Sequence, residues 1–168
     1  VWDIAEGPAL AENAAEIAQS NGAAVALSLY DSFCVERHRD SFAKFVRDHA
    51  DIIVADEEEV FALLGTNSID EALEALQDFD KLFAITRSEQ GSVILDKDVK
   101  IVQAASKVDE VIDTTGAGDA YCAGFLFGWA NDRPLEYCAK LGTYCATMVI
   151  QQLGARIEPG VLDDFESR

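Results

Sequence analysis

Basic side chains are scarce in this sequence. Its 168 residues include 13 Lys and Arg against 31 Asp and Glu, which gives a formal net charge of −18 at pH 7. A protein of this charge repels a phosphate backbone and an anionic membrane surface, so we expect no nucleic-acid partner and no membrane partner. The acid excess favours solubility and carries no information about the fold.

Long apolar segments and metal-binding cysteine patterns are absent as well. No run of about 18 apolar residues occurs, so no segment is expected to span a membrane. The N-terminal residues lack the charged region and apolar stretch of a signal peptide. The four cysteines, Cys34, Cys122, Cys138 and Cys145, form no C-x-x-C pair and have no histidine at zinc-ligand spacing. We therefore expect reduced, buried thiols in a cytoplasmic protein.

Apolar residues make up 49% of the chain, which is enough to offset the entropy lost on folding. Short apolar runs alternate with segments of helical periodicity, an order that is typical of a parallel α/β sheet. Strands are predicted at 23–29, 52–55, 82–86, 92–95, 99–102 and 111–112, and helices at about 10–20, 42–49, 57–64, 69–78, 119–131 and 135–153. Because the run 23–29 is almost continuously apolar, we expect it to be buried on both faces.

Residues 113–119, with the sequence Asp-Thr-Thr-Gly-Ala-Gly-Asp, form the most informative segment. Gly116 and Gly118 permit another group to approach the backbone closely where a helix begins. The unpaired N–H groups of a first helical turn attract an anion. Asp119 adds a carboxylate that can accept the proton of an attacking hydroxyl, so the segment suits phosphoryl transfer. In the alternative interpretation, Asp119 is an ordinary first-turn acid and the glycines only form a tight turn.

Two other phosphate-binding motifs do not match this segment. The dinucleotide fingerprint G-x-G-x-x-G needs a third glycine where this chain has Tyr121. The P-loop pattern G-x-x-x-x-G-K-[ST] occurs nowhere in the sequence. The sequence therefore argues against a Rossmann dinucleotide site and against a P-loop.

Residues 113–125, DTTGAGDAYCAGF, resemble the C-terminal signature of the PfkB (ribokinase-like) family of carbohydrate and nucleoside kinases. Three further segments resemble family motifs in the same order: 52–65 its strand and N-x-x-E helix, 86–92 its T-x-G-x-x-G nucleotide loop, and 146–155 its last helix and Gly-Ala turn. The resemblance covers residues 20–157 and implies a three-layer α/β/α fold with a mostly parallel sheet, of which this chain is the C-terminal half. The segments 29–39 and 125–128 look most like the adenosine-kinase-like branch.

The resemblance also implies an activity. It indicates an ATP-dependent kinase that transfers the γ-phosphoryl group to a hydroxyl of a sugar or of a nucleoside such as adenosine. The implied cofactors are ATP and Mg²⁺, with K⁺ in many relatives. The matching positions are Asp119 for the catalytic base; Gly116, Ala117 and Gly118 for the anion hole; Thr86, Ser88 and Gly91 for the nucleotide loop; Glu59 for Mg²⁺ held through water; and Asp113 and Thr115, with backbone near Gly154, for a monovalent cation.

The sequence departs from the family pattern at two positions. Asp56 stands where the N-x-x-E motif has Asn, and Ser88 stands where T-x-G-x-x-G has its first glycine. Asp56 either adds a second carboxylate to the metal site or caps the following helix, and its position favours the cap. Ser88 weakens the match of the nucleotide loop.

The family domain is much longer than this chain. We therefore expect residues 1–157 to be its C-terminal portion and the N-terminal half, with most of the acceptor pocket, to be missing. We expect this portion alone to be inactive as a kinase. Residues 158–168 form a polar tail that we expect to fray. A sheet divided in this way has an exposed edge, which favours a homodimer. The alternative to a kinase is a non-catalytic nucleotide-binding or interaction module.

Three smaller features have less specific signals. Residues 37–39, Arg-His-Arg, either meet an anionic group or, as such an acidic chain favours, form a solvated helix face. Asp31 follows a predicted strand, where ligands gather in parallel sheets, or is an ordinary turn residue. Gly124 and Gly128, four apart on one helix, favour close helix packing over chemistry.

Overall fold

The structure is a computed structural model that describes residues 1–167. The chain divides into two compact units. The first contains Val1–Ile85 and Leu95–Lys100, and the second contains Thr86–Ile94 and the residues from Ile101 onward. Within the described part of the chain, no helix is both long enough and apolar enough to cross a membrane.

The regular structure follows the alternating order that the sequence predicts. The helices described are α1 (Gly7–Ser20), α2 (Ser32–Arg37), α3 (Arg39–Asp48), α4 (Glu57–Leu64), α5 (Ile69–Leu76), α6 (Ala117–Ala130), α7 (Leu135–Val149) and α8 (Val161–Glu166). The strands are β1 (Ala26–Ser28), β2 (Ile52–Asp56), β3 (Leu82–Thr86), β4 (Ser92–Asp96) and β5 (Val99–Gln103). Single 3₁₀ turns occur at Gln77–Phe79 and Ser88–Gln90.

The strands form one five-stranded sheet in the order β1-β2-β3-β4-β5. β1 and β2 pair in parallel, with Ala26 opposite Ile52 and Ser28 opposite Val54. The short connection between β4 and β5 makes them a hairpin, with Lys97 in its turn at a φ of 53°. A sheet flanked by helices confirms the predicted α/β class with a mostly parallel sheet, which the hairpin extends at one edge.

The prediction for the first strand is wrong in length and in burial. The sequence predicts a strand over 23–29 that is buried on both faces, but β1 contains only Ala26–Ser28, and Ala26 and Ser28 are exposed. In the described sheet, β1 lies at an edge and has β2 as its neighbour on one side. The position of a strand within the sheet decides its burial, and an apolar run does not reveal that position.

The first unit has a core built from several elements. Val35, Val46, Ile53, Val60 and Phe83, which come from α2, α3, β2, α4 and β3, are all fully buried. Burying a side chain of this size contributes about 1.5–3 kcal/mol. This shared core therefore holds together short helices that would be marginal in isolation.

Both ends of α4 are specified by local hydrogen bonds, as the sequence predicts. The Asp56 carboxylate accepts a hydrogen bond from the Glu59 N–H at 2.8 Å, and the Glu59 carboxylate accepts one from the Asp56 N–H at 2.9 Å. This reciprocal pair is a capping box. Gly65 ends the helix in the left-handed conformation, with a φ of 71° that glycine adopts without strain.

In the second unit, α6 and α7 pack closely because glycines face the contact. A Cβ added to Gly124 would lie 2.8 Å from the Leu141 carbonyl oxygen, and one added to Gly128 would lie 3.0 Å from the Cys138 sulfur. Both distances are shorter than ordinary van der Waals contacts, so the helices reach this separation only without side chains there. The helix-packing interpretation of Gly124 and Gly128 is confirmed.

No strand forms at residues 111–112, contrary to the sequence prediction. The described residues 104–114 contain no helix or strand. The N–H groups of Ile112 and Asp113 instead donate to the Ile150 carbonyl oxygen, at 2.8 and 3.4 Å. The backbone donors of these two residues thus bond to the end of α7, whereas the sequence prediction has them bond to a neighbouring strand.

The prediction that the polar tail frays is wrong for residues 161–166, which form α8. The Phe165 ring contacts the rings of Tyr137 and Tyr144, with centroids 5.3 and 5.4 Å apart. Leu162 also packs against the apolar cluster of the second unit. Three apolar residues in a six-residue segment, Val161, Leu162 and Phe165, are too short a periodic signal to predict a helix, and the contact with α7 supplies the missing stabilisation.

The cysteines are free thiols, as expected. Cys138 and Cys145 are buried in α7, and burial raises the pKa of both thiols, which makes them unreactive. Cys34 and Cys122 are only partly buried, so the expectation of burial is wrong for these two.

We expect Gly124→Ala to destabilise the protein by about 1–3 kcal/mol, because the new methyl group must push α6 away from α7. Denaturant unfolding followed by circular dichroism measures this change. Ala123→Ser, at an exposed position of the same helix, is the control and should change the free energy of unfolding by less than about 0.5 kcal/mol. Equal stability of both variants would contradict the close-packing interpretation.

Candidate active site

Gly116 immediately precedes α6 and is a glycine for two physical reasons. Its φ of 81° lies in the left-handed region, which other residues adopt only with strain. A Cβ on Gly116 would also lie 2.5 Å from the Cβ of Ala155. The turn therefore holds the start of α6 against the segment that follows α7.

Gly118 has no such internal reason to be glycine. A Cβ at this position would meet nothing within 4 Å, and its φ lies outside the left-handed region. Among residues 1–167, the N–H groups of Gly118 and Asp119 have no hydrogen-bond partner, and both residues are exposed. The first turn of α6 thus presents open N–H donors and the positive end of the helix dipole beside the Asp119 carboxylate.

Asp113 ties this turn to the segment after α7. One of its carboxylate oxygens accepts a hydrogen bond from the Thr115 N–H at 2.9 Å, and the other accepts one from the Gly154 N–H at 3.0 Å. Hydrogen bonds from the side chain and backbone of Thr115, and then from Gly154, hold the pKa of Asp113 below its ordinary value. The structure thus brings together the three residues that the family resemblance assigns to a monovalent cation.

The predicted nucleotide loop is a tight turn between β3 and β4. Thr86 ends β3, the Arg87 N–H donates to the Gly91 carbonyl oxygen at 2.7 Å, and the Gly91 N–H donates to the Ser88 carbonyl oxygen at 3.0 Å. Gly91 has a φ of 87°, and a Cβ there would lie 2.0 Å from the Gln103 carbonyl oxygen. The loop therefore cannot accommodate a side chain at residue 91 without moving β5.

Ser88 keeps the backbone conformation that a glycine would supply. Its φ of 49° is in the left-handed region, although serine has a Cβ. This conformation costs about 1–2 kcal/mol for a residue other than glycine. The departure from T-x-G-x-x-G thus changes the local strain and leaves the turn in place.

A buried hydrogen bond, which the sequence does not predict, links this loop to α6. The Tyr121 hydroxyl donates to the Ser92 hydroxyl oxygen at 2.9 Å, and both residues are buried. Burial raises the pKa of Tyr121 to about 12, so its phenol stays neutral. Ser92 follows Gly91 directly, which makes Tyr121 a positioning residue for the loop. The sequence feature that could have indicated this role is the position of Tyr121 within the 113–125 signature.

Glu59 lies in the first unit and is only 7% exposed. Burial, helped by the nearby negative charges of Asp56 and Asp31, raises the pKa of Glu59 to about 7, although backbone hydrogen bonds from Asp56 and Tyr30 oppose the shift. No cationic side chain among residues 1–167 pairs with Glu59. Buried oxygen ligands beside other acids suit a hard cation such as Mg²⁺.

Asp56 acts as a helix cap, the role that its position favoured. Its carboxylate is used in the capping box of α4. Among the described residues, neither Asp56 nor Glu59 belongs to a set of three ligand atoms close enough to share one ion.

Asp31 is also a helix cap. Its carboxylate accepts hydrogen bonds from the N–H groups of Phe33 and Cys34 at 2.8 and 3.2 Å. This geometry supports the ordinary turn interpretation, although the charge of Asp31 also acts on Glu59.

An α/β sheet, a glycine turn that exposes N–H donors, and an adjacent carboxylate are together typical of sites that handle phosphate. The comparison with known proteins is more specific. The model of the pfkB family carbohydrate kinases matches residues 7–160. The chain belongs to this family, which confirms the resemblance of its 113–125 signature.

The chain spans about half the length of the relatives described here. A cytidine kinase from Thermococcus kodakarensis is 33% identical over 120 residues, which are 70% of this chain and 43% of the relative. The crystal structure of an adenosine kinase from Sinorhizobium meliloti has a TM-score of 0.90 and 42% identity, and covers 94% of this chain and 49% of that chain. A fructokinase from Vibrio cholerae, solved with fructose, ADP and calcium, has a TM-score of 0.75 at 25% identity and covers 87% and 52%.

We expect Gly91→Ala to destabilise the protein by at least about 2 kcal/mol, because left-handed strain and the collision with residue 103 act together. Thermal and denaturant unfolding measure the loss. Ser88→Gly in the same turn is the matched control: it removes left-handed strain, adds disorder to the unfolded chain, and should change stability by no more than about 1 kcal/mol. A Gly91→Ala protein as stable as Ser88→Gly would contradict this account of the loop.

Proposed function

We propose that the chain carries the catalytic base, the phosphate-binding turn and the nucleotide loop of an ATP-dependent small-molecule kinase. The observation that carries the proposal is the first turn of α6. It is open at Gly118, where the fold itself needs no glycine, and it sets two free N–H donors beside Asp119. A turn built only for tightness would require glycine at 116 and not at 118.

The proposed reaction is transfer of the γ-phosphoryl group of ATP to an acceptor hydroxyl. The acceptor oxygen attacks the γ-phosphorus, Asp119 takes the hydroxyl proton, and the bond to the β-phosphate oxygen breaks to release ADP. The N–H groups at Gly118 and Asp119 stabilise the negative charge on the transferred group. Gly116 and Ala117 hold this turn in position as the remainder of the anion hole.

Charge makes localised donors necessary. The whole chain has a net charge of −18, so its mean field opposes the approach of an anionic nucleotide. Glu59 would hold hydrated Mg²⁺, which neutralises phosphate charge when bound. Asp113, Thr115 and the Gly154 backbone would hold a monovalent cation such as K⁺. Thr86, Ser88 and Gly91 would contact the nucleotide.

The acceptor class is proposed from the relatives. An adenosine kinase and a cytidine kinase are among the similar proteins, so we favour a nucleoside such as adenosine over a sugar. The fructokinase match keeps sugars as the second choice.

Free thiols support a cytoplasmic location. A homodimer through the exposed β1 edge, and the absence of nucleic-acid partners, remain predictions.

A non-catalytic nucleotide-binding or interaction module is the second candidate. It is favoured by one observation: the chain spans about half the length of the relatives that it matches. Calorimetry with ATP and Mg²⁺, beside a phosphorylation assay with adenosine, cytidine, ribose and fructose, separates the two candidates. Binding with turnover supports the kinase, and binding without turnover supports the module.

We expect Asp119→Asn to lower kcat by at least about 100-fold, because an amide cannot accept the hydroxyl proton. ATP affinity should stay within about threefold of the parent, since the backbone donors remain. Because this chain spans about half the length of its relatives, the assay is steady-state phosphorylation of the preferred acceptor by a full-length version of the protein. Asp132→Asn, two residues beyond the other end of α6, is the matched control and should leave kcat unchanged. An Asp119→Asn enzyme with parental kcat would overturn the assignment of the base.

Gly118→Ala should separate binding from folding. The Cβ of a helical residue points toward the helix N-terminus, so the methyl group would enter the space where phosphate approaches. We expect ATP affinity or kcat to fall about tenfold, while stability holds or rises by up to about 1 kcal/mol. Calorimetry and thermal unfolding give the two readouts. Unchanged ATP binding and turnover in a folded Gly118→Ala protein would argue against the anion hole.

A further inference from the structure

Three metal-ligating side chains meet in the first unit, away from every residue of the proposed kinase site in the sequence. They are Asp3, which precedes α1; Cys34, in α2; and His38, between α2 and α3. A carboxylate oxygen, the thiol sulfur and an imidazole nitrogen all lie within 4.8 Å of one another. Among residues 1–167 this is the set of three or more such groups close enough to hold one ion.

Local structure explains how two of these side chains come together. Cys34 and His38 are four residues apart, and the His38 N–H donates to the Cys34 carbonyl oxygen at 3.1 Å. They therefore lie one helical turn apart on the same face. The prediction that no histidine lies at zinc-ligand spacing from a cysteine is therefore wrong, because Cys34 and His38 are four residues apart on a helix. The third candidate ligand, Asp3, is distant in sequence.

Trp2 brings the third side chain into place. Its ring is buried and stacks on Phe42 with a centroid distance of 4.1 Å, and its indole N–H donates to the Ser41 hydroxyl oxygen at 2.9 Å. Asp3, the next residue, is thereby fixed beside the end of α2. Its carboxylate lies 2.9 Å from Nε2 of His38, which is 35 positions away in sequence.

Arg37 orients the carboxylate. Its Nη2 donates to Oδ2 of Asp3 at 2.7 Å and its Nε donates to Oδ1 at 3.4 Å, while Oδ1 also lies 2.9 Å from Nε2 of His38. The predicted alternatives for residues 37–39 are thus partly decided, because Arg37 and His38 meet an anionic group within the chain. A partner that orients a carboxylate through hydrogen bonds is a usual support of a metal ligand.

We propose that Asp3, Cys34 and His38 form a binding site for a divalent transition-metal ion of the Zn²⁺ class, with a fourth position open to water. Thiolate, imidazole and carboxylate together suit Zn²⁺ and Co²⁺, whereas Mg²⁺ and Ca²⁺ prefer oxygen ligands alone. Partial exposure of all three residues gives the ion access. The site joins the segment before α1 to the end of α2, and it is independent of the proposed kinase function.

When an ion binds, metal–ligand bonds replace the S–H bond of Cys34 and the hydrogen bond between His38 and Asp3. The Cys34 thiol releases its proton to solvent as sulfur bonds to the metal. The proton that Nε2 of His38 shares with Asp3 passes to solvent while the ring keeps or takes up one proton at Nδ1, so Nε2 and a carboxylate oxygen of Asp3 both become ligands. Oδ2 of Asp3 keeps its hydrogen bond with Arg37. The ligand set then carries two negative charges, from Asp3 and Cys34, to balance the cation.

Titration with Co²⁺ tests the site directly, because a thiolate–cobalt bond absorbs strongly in the near ultraviolet. We expect saturation at one Co²⁺ per chain and displacement by Zn²⁺. Cys34→Ser and His38→Asn should each weaken the apparent affinity by roughly 100-fold or more, since loss of a direct ligand exceeds the effect of its supporting partners. Cys122→Ser, which removes the other partly buried thiol, is the matched control and should bind as the parent does.

Three results would overturn the proposal: no saturable thiolate–cobalt absorption, parental affinity in Cys34→Ser or His38→Asn, or displacement of Co²⁺ by an equal concentration of Mg²⁺.

A second test measures how far Zn²⁺ protects Cys34 from alkylation, by peptide mass spectrometry on the chain without substitutions. It does not depend on whether a variant folds. Zn²⁺ should slow labelling of Cys34 by at least about tenfold and leave labelling of Cys122 unchanged. Equal rates at Cys34 with and without Zn²⁺ would contradict the site.

Discussion

The close contact between α6 and α7 is the constraint on which the proposed phosphate-binding turn depends. Glycines at 124 and 128 bring the two helices to a separation that any side chain would prevent. The segment after α7 then lies against Gly116, whose missing side chain leaves room for Ala155. Because α6 is fixed along its length, its first turn can leave N–H donors open without losing its position. The packing of α6 against α7, away from the turn, thus holds the exposed N–H donors of the turn in a fixed position.

Polar contacts complete what this packing begins. Asp113 joins the turn to Gly154 through both of its carboxylate oxygens. Tyr121, one helical turn further along α6, reaches Ser92 and so connects the helix to the loop between β3 and β4. Each link is made by a side chain whose position depends on the helix packing. The residues proposed to hold phosphate and nucleotide in the second unit therefore belong to one connected framework.

Much of the fold was predictable where local chemistry decides it. Asp56 and Gly65 define the ends of α4 through a cap and a left-handed turn, and the hairpin of β4 and β5 follows its own turn. Prediction failed where distant contacts decide the outcome: β1 is short and exposed because it lies at an edge, residues 111–112 bond to the end of α7, and α8 forms against aromatic rings. The proposed site follows the same division. Asp119 and the glycines could be predicted from their motif. The hydrogen bond of Tyr121 to Ser92 and the burial of Glu59 could not.

The sequence by itself determined the family, the α/β class, the helix caps and the motif that carries Asp119, because each depends on residue types at short spacing. Only the tertiary structure decided which glycines are enclosed by neighbouring atoms and which face open space: Gly116 and Gly124 meet neighbouring atoms, and Gly118 meets none. It also brought Asp3 to Cys34 and His38. Short-range patterns record backbone conformation and periodicity, but empty space and long-range proximity exist only once the chain is packed.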